Sequence, residues 1–178
     1  MSPELSRTYR VDTLGAGARQ VEIAAEDAER AALARRFNLV AIDRLAAEAA
    51  LSRNGEIVTA RGKVSAAVTQ SCVGTGDPVE EEVDEAFVIE FRPHPQGLGP
   101  DEEMELGEGE MDVVFYDGGA VDLGEAVAES VSLALNPFPR SPAAEEALRA
   151  AGVKSEDEAK AESNPFAALG VLKDKLGK

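Results

Sequence analysis

Val58-Thr59-Ala60-Arg61-Gly62-Lys63-Val64-Ser65-Ala66-Ala67-Val68-Thr69-Gln70-Ser71-Cys72 decides the fold. Its even positions are small or apolar up to Gln70, and its odd positions are mostly polar or charged, the alternation of a strand with one buried face. After the turn-rich Val73-Gly74-Thr75-Gly76-Asp77-Pro78, the apolar phase moves to odd positions at Val79, Val83, Phe87, Ile89 and Phe91. Acids crowd the other side. Two long strands folded back as an antiparallel hairpin between Glu56 and Arg92 account for both halves. At about 3.3 Å per residue each strand would approach about 50 Å if straight, so a bend is expected, with Gly62 as its place.

Working outward, Asn54-Gly55 is the strongest short hairpin signal in the chain and should join this pair to a preceding strand. Residues 39–51 have helical composition, yet Leu39, Ala41, Leu45, Ala47, Ala49 and Leu51 share odd parity with Asp43 as the exception, and a strand is expected. Further upstream, Glu4 to Val11 and Gln20 to Ala24 read as short strands. Glu26 to Phe37 reads as a helix with acids first and arginines last, stopped at Asn38 and burying Ala28, Ala31, Ala32 and Leu33. Downstream, residues 93–110 are Pro, Gly and acid without periodicity and should be a mobile loop. Met111 to Tyr116 returns to strand composition. Asp122-Leu123-Gly124-Glu125 matches a capping box, so a helix should follow and end near Asn136, before Pro137. Its stripe is Leu123, Ala126, Val127, Val131 and Ala134. A short helix is expected at 143–151 and an amphipathic one at 164–173.

These elements predict an α+β fold: an antiparallel, strongly bent sheet, open or barrel-like, around the long hairpin, with two or three packing helices. A single domain should span 1–142, with a loosely attached tail over 143–178. One cysteine in 178 residues excludes an internal disulfide and a Cys-rich zinc module, and suits a reducing compartment. No run of about 20 apolar residues occurs, so a cytoplasmic, non-membrane protein is expected. The net charge of −16 is unevenly spread. Asp77 to Ser130 carries 18 acids against one base, Arg92, while the remainder is near neutral. Such a face repels phosphate backbones and attracts basic proteins. Excess surface acid serving solubility alone explains the charge equally well.

The inventory for catalysis is thin. His94, the only histidine, lies between two prolines in the acidic loop, and no nucleophile-elbow pattern accompanies it. From Asp101 the acids fall at EF-hand positions one, three and five, but Leu106 replaces the required glycine and Asp112 the final glutamate. Cys72 ends an apolar strand face and reads first as a small buried hydrophobe, second as a reactive thiol. Gln70 on that face needs a partner, since an unpaired buried amide costs about 1–3 kcal/mol, and a backbone bond across the hairpin turn is the expected one. Phe138 and Arg140, between prolines, form either a docking strip or a linker whose Phe138 packs back on the domain.

Arg61 to Cys72 with Gly62, Gln70 and Cys72, then Pro78-Val79 and the acid-alternating strand to Phe91, resembles the central motif of the YceD family, the large ribosomal RNA subunit accumulation proteins. Asp122-Leu123-Gly124-Glu125 with Glu129 and Leu133 to Pro139, including Pro137, is similar to the family's second motif. Asn164 to Leu169 with Leu172-Lys173 is similar to its third. The resemblance covers about Arg61 to Lys173. It implies a cytoplasmic, non-catalytic factor supporting accumulation of large-subunit ribosomal RNA and assembly of that subunit, without a cofactor. Some members carry a second cysteine three after the first and a histidine after the proline-rich strip, which implies a metal site in them; Thr75 and Ser141 stand there in this sequence, so no metal is expected. The expected partner is a basic ribosomal protein or an assembly intermediate, held by Glu80, Glu82, Asp84, Glu90, Glu102, Glu103 and Glu105 with Phe138 and Arg140. The alternative is direct ribosomal-RNA binding through Arg7, Arg10, Arg19, Arg35, Arg36, Arg61 and Lys63.

Overall fold

The computed structural model of the chain describes residues 3–94 and 112–153. Two units are distinguished. The larger comprises Met1–Ser71 with Pro78–Pro137, and the smaller Cys72–Asp77 with the chain from Phe138 onward.

In the larger unit, β1 (Thr8–Arg10), β2 (Arg19–Ala24), α1 (Asp27–Arg36), β3 (Ala41–Asn54), β4 (Ile57–Ser71), β5 (Pro78–Pro93), β6 (Asp112–Tyr116), β7 (Ala120–Asp122) and α2 (Leu123–Ala134) follow in order. Five strands form a sheet in the order β2-β3-β4-β5-β6, and β1 pairs with β7 in a separate ribbon. The α+β class holds, but the sheet is neither closed nor purely antiparallel. β6 runs parallel to β5, with Ile89 opposite Asp112 and Pro93 opposite Tyr116. A long connection between the two strands makes this possible, since a tight turn can only join antiparallel neighbours.

The alternation in β4 is realised as burial: Val58, Ala60, Val64, Ala66 and Val68 are all inside, with Val58, Ala60 and Ala66 opposite Phe91, Ile89 and Val83 of β5, and Val64 and Val68 opposite Glu85 and Glu81. Residues 41–54 are a strand, against their helical composition, because β2 and β4 flank them. A bulge between Ile42 and Arg44 absorbs Asp43 and shifts the phase, so that Ile42 before it and Leu45, Ala47, Ala49 and Leu51 after it are all buried. At Gly62 the structure gives a steric reason for a glycine. A Cβ there would lie 2.2 Å from the Glu48 carbonyl oxygen and 2.8 Å from the Phe87 ring. Close approach of β3, with the ring of Phe87 lying across the gap, is what excludes a side chain.

α1 buries less than its alanines suggested. Leu33 and Ala34 are inside, whereas Ala28 and Ala31 are exposed. Arg30 helps to hold the helix by donating to the carbonyls of Ala25 (2.7 Å) and Ile42 (3.2 Å). Asn38 stops it in the left-handed conformation at φ 55°, and Leu39 N–H donates to the Ala34 carbonyl. At α2 the Asp122 cap forms, accepting from Gly124 and Glu125 N–H, but Glu125 does not reach back. Its carboxylate is taken by Arg36 at 2.7 Å, a stronger charged partner than a backbone amide. Asp122 also accepts from Arg7 N–H at 2.8 Å and from the Ser6 hydroxyl. This stitch seats Leu5 to Arg7 on the first turn of α2 so closely that a Cβ at Gly124 would be 2.7 Å from Arg7 N.

In the smaller unit α3 (Ala144–Ala150) forms, Val73 N–H donates to the Pro139 carbonyl at 2.9 Å, and Ala144 is buried. The amphipathic helix expected at 164–173 and the acidic loop with Glu102, Glu103 and Glu105 lie outside the described residues. Among the described residues, no helix is long and apolar enough to cross a membrane.

Candidate functional site

The even positions of β5 carry the acids to the face opposite the core. Glu80, Glu82 and Asp84 are exposed there, opposite Thr69, Ala67 and Ser65 of β4. This face is not uniformly acidic. Arg44 lies 2.9 Å from Glu82 and Lys63 lies 3.4 Å from Asp84, both as exposed pairs. Such pairs contribute about 0–1 kcal/mol and exchange readily for a competing cation. Glu80 has no cation in bridging distance among the described residues. Glu90 differs: Arg92 donates to its carboxylate through Nε at 3.0 Å and Nη2 at 2.6 Å, and its side chain is only 15% exposed. The pair lies near the end of the strand.

Glu81, which the sequence offered only as one acid among many, has the opposite orientation. Its carboxylate accepts from Gln70 Nε2 at 2.6 Å and from Asn136 N–H at 3.0 Å, while Gln70 also donates to the Asn136 carbonyl. Gln70 thus finds its partner, but in the exit of α2 and a neighbouring acid rather than in backbone across the hairpin turn. The signal was visible: Glu81 interrupts the odd-position apolar phase between Val79 and Val83. Pro78 opens β5, Leu123 is buried at the start of α2, and Glu129 and Pro137 are exposed.

Three of the arginines are engaged by acids. Arg7 binds Glu29 at 2.7 Å, Arg36 binds Glu125 and Glu4, and Arg10 binds Asp12. Arg19 lies over the Tyr9 ring. The Glu125 hydrogen bond raises the Arg36 pKa further above its ordinary value, and Arg7 holds the Glu29 carboxyl below the usual range. Arg35 and Arg61 lack an acid in bridging distance among the described residues.

In the smaller unit, Phe138 is 70% exposed and Arg140 is exposed. Cys72 is buried, and its sulfur accepts from the amides of Ser141 (3.3 Å) and Gly74 (3.4 Å). Thr75 and Ser141 hydroxyls stand 3.1 Å apart, and both approach the Asp77 carboxylate, at 2.7 and 3.2 Å. The positions that the resemblance linked to a metal site therefore do come together. Their donors do not fit zinc, since one sulfur and two neutral hydroxyls, already bonded to a carboxylate, replace thiolates and imidazole.

Hydrogen bonding lowers the Cys72 pKa from its ordinary value to about 6, with Ser141 N–H the largest cause and the Thr75 hydroxyl next, against burial. Thr75 has one proton and a carboxylate competing for it, so the amides are the dependable donors. The thiolate absorbance of the native protein is expected to titrate near pH 6. A folded pKa below the unfolded one, about 8.5, adds stability that is complete above the unfolded value and lost as pH falls through the folded one. Unfolding midpoints should thus rise between about pH 6 and about pH 8.5 in the native protein and lose that component in Cys72→Ala. A native thiolate titration near pH 8.5 would refute this.

The chain matches, over residues 60–173, the family model described as Large ribosomal RNA subunit accumulation protein YceD. No curated protein and no solved structure matches it.

Proposed function

The chain belongs to the YceD family, and from that membership we propose that it is a cytoplasmic, non-catalytic factor supporting large-subunit ribosomal RNA accumulation and subunit assembly by binding a basic ribosomal protein. The observation that carries the protein-binding part is the row Glu80, Glu82 and Asp84, exposed on one strand face, with only Glu82 and Asp84 held, each by one exposed, exchangeable cation. A basic partner replaces Arg44 and Lys63 at little cost. Engagement of Arg7, Arg10 and Arg36 by acids favours this reading over direct RNA binding. Phe138 and Arg140, both exposed, are assigned to the same partner.

The test is affinity purification from lysate at low and high salt, with bound proteins identified by mass spectrometry and bound RNA quantified. The native protein should retain a basic large-subunit protein at low salt and release it at high salt. Joint Glu80→Lys, Glu82→Lys and Asp84→Lys changes should abolish retention at unchanged circular dichroism. Retention of RNA in place of a protein, strengthened by the three lysines, would overturn the reading.

A further inference from the structure

Resting on that protein-binding reading, we propose that the outer edge of β6 takes up an extended, basic segment of the partner protein by strand addition. Strand addition uses the free backbone groups of a sheet edge for affinity and alternate side chains for selectivity. The sheet order leaves β6 at an edge, with β5 its one neighbour among the described strands. Edges in stable proteins are usually blunted by lysine, proline or a bulge. β6 has none of these: Val113, Val114, Phe115 and Tyr116 are consecutive, half-buried and in regular register with β5. The opposite edge, β2, alternates Gln20 and Glu22 with its buried residues. His94 stacks on Phe115 at 5.3 Å and 25°, fixing an aromatic shelf on the face away from the core.

Charge selects the occupant. Asp112 and Asp117 bracket the strand, and Tyr116 and Asp117 lead into a cleft of about 760 Å³ that Glu56 also lines. Among the described residues Asp112 and Glu56 have no ion-pair partner, and Asp117 has only His94 at 3.8 Å. The cations in the same cleft are occupied. Arg10 is paired with Asp12, and Arg53 donates to the carbonyls of Val11 (2.8 Å) and Gly55 (2.6 Å). The charges left to greet an incoming chain are carboxylates, so a strand with lysine or arginine toward its ends fits and an acidic one does not.

The experiment is hydrogen exchange on the full chain, with a peptide of about ten residues alternating Lys and Val, a length that covers an average strand, and with its Glu/Val counterpart. The basic peptide should slow exchange of the β6 amides that point away from β5 about tenfold, and the acidic one should leave them unchanged. Asp112→Lys with Asp117→Lys should remove the effect at unchanged circular dichroism. Three results would overturn the proposal: no protection, equal protection by both peptides, or the β6 amides that point away from β5 already protected without peptide. The last means that other residues of the chain, or a second copy if it depends on concentration, cover the edge. If a ribosomal protein is retained through Glu80, Glu82 and Asp84 while β6 stays unprotected, only the edge assignment fails. If neither peptide nor ribosomal protein binds, the protein-binding reading fails with it.

Discussion

Gly62→Ala is expected to destabilise the protein by about 3 kcal/mol or more, the upper range for forcing atoms into a filled core. The new methyl would sit 2.2 Å from the Glu48 carbonyl oxygen and 2.9 Å from Ala49 Cα, both backbone atoms of β3. A flexible side chain could move aside. A carbonyl in the middle of a sheet cannot do so without breaking the register of β3 on β4, where Gly62 faces Ala49. At about 2–4 °C per kcal/mol for a chain of this size, thermal unfolding should come about 6–12 °C lower. Gly17→Ala is the matched control, because nothing lies within 4 Å of its Cβ position; it should be neutral or stabilising by up to about 1 kcal/mol through the unfolded chain. A Gly62→Ala melting temperature equal to that of Gly17→Ala would show that β3 and β4 do not approach as closely as described. Replacing Phe87 by leucine beside Gly62→Ala should recover only part of the loss, since the ring is one of the two obstacles.

Asp122→Ala carries the second large effect, about 3 kcal/mol. Losing an N-cap costs about 1 kcal/mol in typical cases. Here the same carboxylate also accepts from Arg7 N–H and the Ser6 hydroxyl, and charged acceptors contribute about 1.5–3 kcal/mol each. Asp122→Asn keeps a cap but loses the charge, and should fall between the native protein and Asp122→Ala. Chemical denaturation checks this through midpoint shifts at constant slope. Equal stability of Asp122→Ala and the native protein would mean that the stitch to Ser6 and Arg7 does not form.

How much of this was legible in the sequence depended on the range of the interaction. Alternation is local, and the buried faces of β4 and β5 follow from it. The strand at 41–54 was legible from the Asn54-Gly55 turn and parity, with Asp43, the residue that broke parity, sitting at the bulge. The direction of β6 was not legible: Val113 to Tyr116 announces a strand, but nothing in its composition states which way it runs. The reach-back of Glu125 was predicted from spacing and lost to Arg36, 89 residues away in the chain. Glu81 was hidden for a similar reason. Its partners Gln70 and Asn136 are distant, so the sequence shows an acid out of phase and not the clasp. The acidic row at Glu80, Glu82 and Asp84 was read correctly as sharing one face, whereas the cations beside it emerge only with the registers of β3 on β4 and of β4 on β5. The gathering of Cys72, Thr75 and Ser141 was foreshadowed only by the family motif.

The bond from Arg7 to Asp122 spans 115 residues, and the pairing of β1 with β7 spans nearly as many. As the chain leaves the ribosome, its first strand emerges long before the residues that will hold it. At about 5–20 residues per second the wait is on the order of ten seconds. During that time the β2–β3–β4 meander can already fold, since its pairings are between neighbours in sequence, while β1 remains without the β7 strand that it pairs with. Closure of the N-terminal ribbon onto α2 is therefore the late event of synthesis.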